Sequence, residues 1–306
     1  MEFYEYRSFY ETSRKSSERL GVEQFYERIA TILQRQMGTV EQRRVVSFLG
    51  NAELAWHRAG RPYYKLWPGV IPLFSDVSVD IPVDYLRLPF TSFVLRFPKG
   101  DNPLRLPDSR EIQTIFVHDE LLGGGLRQIG LEIGIGGEGE GFLPLHLACE
   151  PGLSIEQAFQ VIPGDKEAPV PNELREQCLR IVVSVCFIAT GAATKLIQPD
   201  VFSDDLRRYL EATEKDPPLA EKLVAKARRK GRLGWNIGRY EARAFFRPSA
   251  AAHGAGSTTR GPLMHQHQRS AHFRLLPTGK VVFVRQTTVR PDLPPPEHPP
   301  GYDVKP

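Results

Sequence analysis

Cysteine is scarce in this 306-residue chain: Cys149, Cys178 and Cys186 are the only three. They are not spaced as a zinc site. Cys178 and Cys186 fall in an apolar, helix-like run, which makes them reduced core residues of a cytoplasmic protein. Long apolar runs are missing as well. The one membrane candidate, Ile181 to Ala193, is shorter than the ~20 apolar residues that span a bilayer, so it is expected to be a buried helix and no membrane partner is expected. The N-terminal stretch MEFYEYRSFYETSRKSSERL is polar and offers no apolar segment for a secretory signal. There is no Walker loop and no internal repeat, and Ser154 and Ser184 lack the context of a nucleophile elbow.

One further deficit is local. From Met264 to Arg290 there is no carboxylate at all, while three of the eight histidines (His265, His267, His272) and five cations (Arg269, Arg274, Lys280, Arg285, Arg290) surround two short apolar runs. Widening the window to 222–290 gives fifteen cations against a single acid, Glu241, a local net charge of +14. The chain totals of 40 basic and 36 acidic residues then leave 25 against 35 elsewhere, or −10, so the overall +4 conceals a dipolar molecule. A cationic patch of this density concentrates polyanions and gives salt-dependent affinity through counterion release, which makes RNA, DNA or a ribosomal surface the natural partner. The competing reading pairs these cations with acidic residues of the same protein or of a protein partner.

With 41% hydrophobic and 25% charged residues, the chain can bury a substantial core. Val22, Phe25, Tyr26, Ile29 and Leu33 recur at helical spacing and predict an amphipathic helix over 22–37. Thr39 with Gln42 suggests a capping box opening a second helix that reaches Trp56. From Arg61 to Phe97, prolines punctuate Val, Ile, Leu, Phe and Tyr, which suits short strands and loops; Val79-Ile81-Val83 and Phe93 to Phe97 are strand candidates. Ile112 to His118, Gln128 to Ile135 and Phe142 to Cys149 predict an antiparallel meander. Ser154 with Gln157 caps a short helix, and Asn172 opens a longer one that is apolar on nearly all faces from Leu179 to Ala189 and is broken by Pro199. Ser203 to Ala212 and Leu219 to Lys230 predict two more helices, and Trp235 to Phe246 another strand. Residues 249–261 are rich in small residues, and the tail from Pro291 resembles polyproline. Ala271 to Leu276, Pro277-Thr278-Gly279-Lys280 and Val281 to Arg285 make a strand, a tight turn and a strand.

Gly134-Ile-Gly136-Gly137-Glu138-Gly139 matches GxGxxG literally, but strand-like text follows it and two glutamates would repel a pyrophosphate, so a hairpin turn is expected there. His265 and His267 on one strand face could ligate a metal with His272. No Asp, Glu or Cys accompanies them and the cations disfavour a dication, so neither metal nor cofactor is expected. As general acid and base, His265 or His267 with His272 could cleave RNA, with Arg269 or Lys280 stabilising the charged phosphorane. Alternatively these histidines bond phosphates or stack on bases without chemistry. His118, Asp119, Glu120 and His146 invite an acid–base reading against satisfied structural roles.

Three segments carry a resemblance: Ser154-Ile-Glu-Gln-Ala158 leading into the apolar helix 174–190; Trp235-Asn-Ile-Gly238-Arg239; and Arg269-Ser-Ala-His272-Phe273-Arg274 followed by Val282-Phe283-Val284-Arg285. Together they resemble the type V-A anti-CRISPR family that acts during translation, recognising the nascent N-terminal peptide of the Cas effector and bringing about loss of its message. The resemblance covers most of the chain after about residue 60. Where the family typically has Gly and Trp around the histidine, Ala271 and Phe273 stand here. It implies a translation-coupled regulator from a mobile element or a bacterial host carrying one.

The expectation is therefore an α+β protein: a helical N-terminal region (1–60), an α+β core (61–215) with an antiparallel sheet packed on a buried helix, a basic helix and β-hairpin module (216–290), and a Pro-rich tail (291–306). Its body would bind a polypeptide, and Arg269, His272, Arg274, Lys280 and Arg285 would contact RNA or the ribosome, with Phe273 stacking or packing. The alternative is a metal-independent ribonuclease using His265, His267 and His272.

Overall fold

The computed structural model describes residues 1–13, 20–36, 48–121, 127–136, 141–160, 171–200, 233–238, 267–269, 271–284 and 287–289. Its centre is a seven-stranded sheet in the order β5-β4-β3-β2-β1-β7-β6. The strands are β1 (Tyr63–Leu66), β2 (Ser92–Arg96), β3 (Ile112–Leu121), β4 (Arg127–Ile135), β5 (Gly141–Cys149), β6 (Ile197–Pro199) and β7 (Gly234–Ile237). The predicted meander is present as β3, β4 and β5, antiparallel throughout, with Ile135 opposite Gly141 so that the glycine-rich segment joins two strands. The sheet is not purely antiparallel: β1 runs parallel to both β2 and β7. A parallel partner needs a long crossover, and residues 67–91 supply it, including the helix α4 (Ile71–Asp76).

Prolines hid that helix. Pro72 occupies its first turn, where a missing N–H costs nothing, so proline there opens a helix. The alternating Val79, Ile81 and Val83 bury as expected, each at 1% exposure or less, but Val79 and Ile81 do so in an extended segment that makes only isolated bridges, Ser78 to His272 and Pro82 to Ser154, and Val83 opens a 3-10 turn (Val83–Tyr85). No strand of the sheet forms there.

Period-two alternation divides the sheet into two faces. One carries Phe93, Leu95, Ile115, Val117, Ile129, Leu131, Ile133, Leu145 and Leu147 and joins the main core with α6 (Asn172–Ala189). From Ile181 to Ile188 every side chain of α6 is buried, as its apolar text requires. This helix ends at Thr190, followed by Gly191 at φ +118°, well before Pro199, which sits in β6. The short helix α5 (Ile155–Gln160) has the expected box: Gln157 N–H donates to Ser154 Oγ at 3.3 Å, and Ser154 N–H to Gln157 Oε1 at 2.9 Å. Glu156 on α5 accepts both Nη groups of Arg180 on α6 at 2.6 Å and the N–H of Val79 at 2.9 Å, which ties the two helices to the crossover.

The other face holds a smaller core built from the N-terminal region. Tyr6, Phe25, Tyr26, Leu54 and Trp56 close over Val94 and Phe116. They are carried by the extended N-terminus, α1 (Phe9–Thr12), α2 (Val22–Gln36) and a π-helical turn (Phe48–Glu53) that continues as α3 (Leu54–Arg58). The helix predicted over 22–37 is α2, and the second helix does reach past Trp56. The Thr39 and Gln42 box, the two helices of 203–230, the segment 249–261 and the proline-rich tail lie outside the described residues.

Candidate functional site

The basic C-terminal hairpin is present. β9 (His272–Leu275) and β10 (Val281–Val284) pair antiparallel, Phe283 opposite Phe273 and Val282 opposite Arg274. The turn between them is closed by Gly279 N–H to Leu276 O and Leu276 N–H to Lys280 O, each 2.9 Å. Gly279 takes φ +77°, a left-handed torsion that glycine adopts without a steric penalty. β8 (His267–Arg269) and β11 (Thr287–Val289) form a second ladder with His267 opposite Val289. The two ladders are separate two-stranded sheets that share one register, and their described strands make up a basic ribbon.

Alternation sorts the ribbon's side chains. Phe273 is 3% exposed; its ring lies 5.2 Å from Phe187 of α6 and 5.1 Å from Phe283, centroid to centroid. Phe273 is thus packed into the main core. Leu275, Val281 and Phe283 join it on the main core, and backbone bonds from Phe273 N–H to Ser78 O (3.1 Å) and Phe283 N–H to Ala192 O (3.4 Å) pin the ribbon down. Arg274 projects the other way and is exposed, as is Lys280 at the turn. His272, on the same side as Arg274, is half-buried. Arg269 and His267 are placed as backbone in β8; His265 and Arg285 lie outside the described residues. Among the described residues, no three His, Cys, Asp or Glu side chains are grouped to hold a metal.

An exposed aromatic does stand beside this turn. Tyr85, 41% exposed, places Cε1 3.8 Å from the position a Cβ on Gly279 would take. Arg87, two residues on, is also exposed. Nothing in the sequence joined 85 to 279, because that proximity arises only when the ribbon docks on the crossover.

Two polar groups lie on the sheet face opposite α6. His118, Glu120 and His146 come together there: Glu120 Oε1 is 3.7 Å from His118 Nδ1, while Gln128 Nε2 contacts His146 Nδ1 and donates to Glu120 Oε2 at 3.3 Å. Asp119 points to the other face and pairs with Arg127 at 2.9 Å. The second group spans β1, β2 and β7. Asp200 Oδ2 accepts from Lys65 Nζ and Tyr63 OH, both at 2.7 Å, and Asp200 Oδ1 accepts from Asn236 Nδ2 at 3.3 Å. Burial pushes the Asp200 carboxyl up, but the bonds from Lys65 and Tyr63 outweigh it and hold it below the usual carboxylate range. Asp200 and Arg96 carried no motif; pairing of β1 with β2 and β7 is what assembles them.

Fold and surface together define an α+β protein in which one sheet carries a docked cationic ribbon. Residues 64–291, about three quarters of the chain, match the family model described as AcrVA2-like, the anti-CRISPR type V subtype A2 family. The chain belongs to that family. Membership implies a target protein as partner. The crystal structure of AcrVA2 aligns over 87% of this chain and 86% of that one, with 15% sequence identity and a TM-score of 0.49. No curated protein matches the sequence. No helix among the described residues is long and apolar enough to cross a membrane.

Proposed function

We propose that this protein is an anti-CRISPR regulator that recognises a polypeptide, in the first instance the nascent Cas effector of a type V-A system, and contacts RNA or the ribosome through its C-terminal ribbon, lowering expression of its target. The observation that carries the RNA contact is the division of the ribbon: Phe273 and Phe283 seat it on the core while Arg274 and Lys280 face outward. A rigid base under exposed cations positions them on a phosphate backbone with little ordering cost. Arg269, His272 and Arg285 extend the contact, and Tyr85 beside the turn supplies the π-face on which an unpaired base can stack.

Expression of an effector reporter tests the regulatory half. Co-expression with wild type should lower reporter protein and message, and Arg269→Ala/Arg274→Ala should restore both. An unaffected reporter, or equal repression by the variant, would remove the ribbon from the mechanism. Cleavage of added RNA by purified wild type that is lost in His272→Gln would instead establish the ribonuclease reading.

A further inference from the structure

Three cations are neighbours on the sheet face that the N-terminal region partly covers, and two are neutralised within the protein. Arg61 Nη1 bonds Glu11 Oε1 at 2.5 Å, and Lys65 Nζ bonds Asp200 Oδ2 at 2.7 Å. Arg96 differs. Its Cζ stands over the Tyr63 ring, 3.8 Å from the centroid, and its Nε is buried without an acceptor. No hydrogen bond or ion pair to Arg96 is formed among the described residues. Around it stand Tyr63, Lys65, Arg61, Glu5 and Asp200, and Thr114 opposite it on β3. Glu5 and Asp200 act on it only through space.

Arg96 is half-buried, with only the Nε edge of its guanidinium shut off from solvent; a buried donor without an acceptor is costly, and a single cation–π contact offsets only part of that cost. We propose that Arg96 is an anion-binding site that takes one carboxylate of the polypeptide target, with Tyr63 as its wall. The planar guanidinium fork matches a carboxylate in two parallel bonds. The fields of Glu5 and Asp200 disfavour a phosphate dianion more than a carboxylate monoanion. Burial already pulls the Arg96 guanidinium below its ordinary value, the direction a bound carboxylate would reverse. The half-buried rings of Phe3 and Trp67, 5.6 Å apart, stand next to Lys65, itself opposite Arg96, and add apolar surface suited to a peptide. This inference rests on the polypeptide-binding reading given above.

The test is a titration of the full-length wild-type protein, following the Arg96 Nε–Hε resonance by NMR. The probes are acetate, inorganic phosphate and chloride at matched ionic strength. Saturable displacement by acetate, with chloride inert and phosphate weaker, is the expected result; Arg96→Lys, which keeps the charge and loses the fork, should abolish acetate saturation. Two short peptides then separate the sources: one with an internal Glu and an amidated C-terminus, one with Gln there and a free C-terminus. Whichever saturates identifies the carboxylate. No saturation by acetate in wild type, or phosphate binding as tightly as acetate, overturns the proposal. That result leaves the polypeptide reading standing if wild type still captures the effector polypeptide. Capture by wild type that persists at full affinity in Arg96→Lys overturns the proposal alone, whereas loss of capture by wild type itself would sink the polypeptide reading.

Discussion

The imidazole of His118 lies across the neighbouring strand over Gly130: a Cβ at position 130 would stand 2.3 Å from His118 Cε1 and 2.4 Å from Nε2. His118 is 2% exposed and cannot swing into solvent. Gly130 is therefore required by the ring that covers it, not by its own torsion.

Gly130→Ala should destabilise the protein by about 1–3 kcal/mol through overpacking, read as a lowered thermal midpoint. His118→Ala in the same chain should recover part of that loss, because the two changes share one space. Full additivity would show that the alanine is accommodated elsewhere.

The docking of the N-terminal region should depend on pH. His57 is held down to about 4 by burial, with Arg61 adding to the effect. The folded state thus binds fewer protons than the unfolded state between the two values, and the His57 contribution is present above about 6.5 and lost as pH falls toward 4. Glu53 acts in the opposite sense. It is fully buried, and burial raises its carboxyl although Tyr6 OH and Tyr26 OH each donate to it at 2.7 Å and Phe9 N–H at 2.8 Å. Its contribution is present at low pH and lost as pH rises through its folded value. Thermal midpoints from pH 7.5 down to pH 4.5 should fall in wild type and fall less in His57→Phe, a difference of roughly 1–3 kcal/mol. Parallel curves would remove His57 from the effect.

Phe273→Ala should cost about 3–5 kcal/mol and loosen the ribbon from α6. Hydrogen exchange of the Phe273 and Phe283 amides, bonded to Ser78 O and Ala192 O, should accelerate, while amides of β3 and β4 stay protected. Uniform loss of protection would mean that the ribbon and sheet unfold as one unit.

The sequence conveyed elements whose periodicity was long and unbroken: α2, the meander, the all-apolar α6 and the hairpin were legible because burial writes period 3.6 or period 2 into the text. It conveyed less where a local signal has two meanings. Pro72 marks a helix start as readily as an interruption, and Val79-Ile81-Val83 alternates because each side chain is covered, although the first two stand in an extended segment that pairs with no long strand and the third opens a 3-10 turn. Arg274 and Lys280 were legible as exposed cations from composition alone. Tyr85, Asp200 and Arg96 were not, because each acquires its neighbours from pairings across long stretches of chain: Tyr63 meets Asp200 only once β1 lies between β2 and β7.

The most direct test of the RNA contact is binding of a labelled single-stranded RNA by the purified protein across a salt series, for wild type and for Arg274→Ala/Lys280→Ala. Both side chains are exposed, so the variant should keep its thermal midpoint. The account predicts that wild type binds, that affinity falls steeply with salt, and that the variant binds more weakly with a slope reduced by about 1–2, leaving the RNA intact. Equal affinity and equal slope in the two proteins, or no binding by wild type at low salt, would contradict it and give the cationic ribbon to an acidic protein partner.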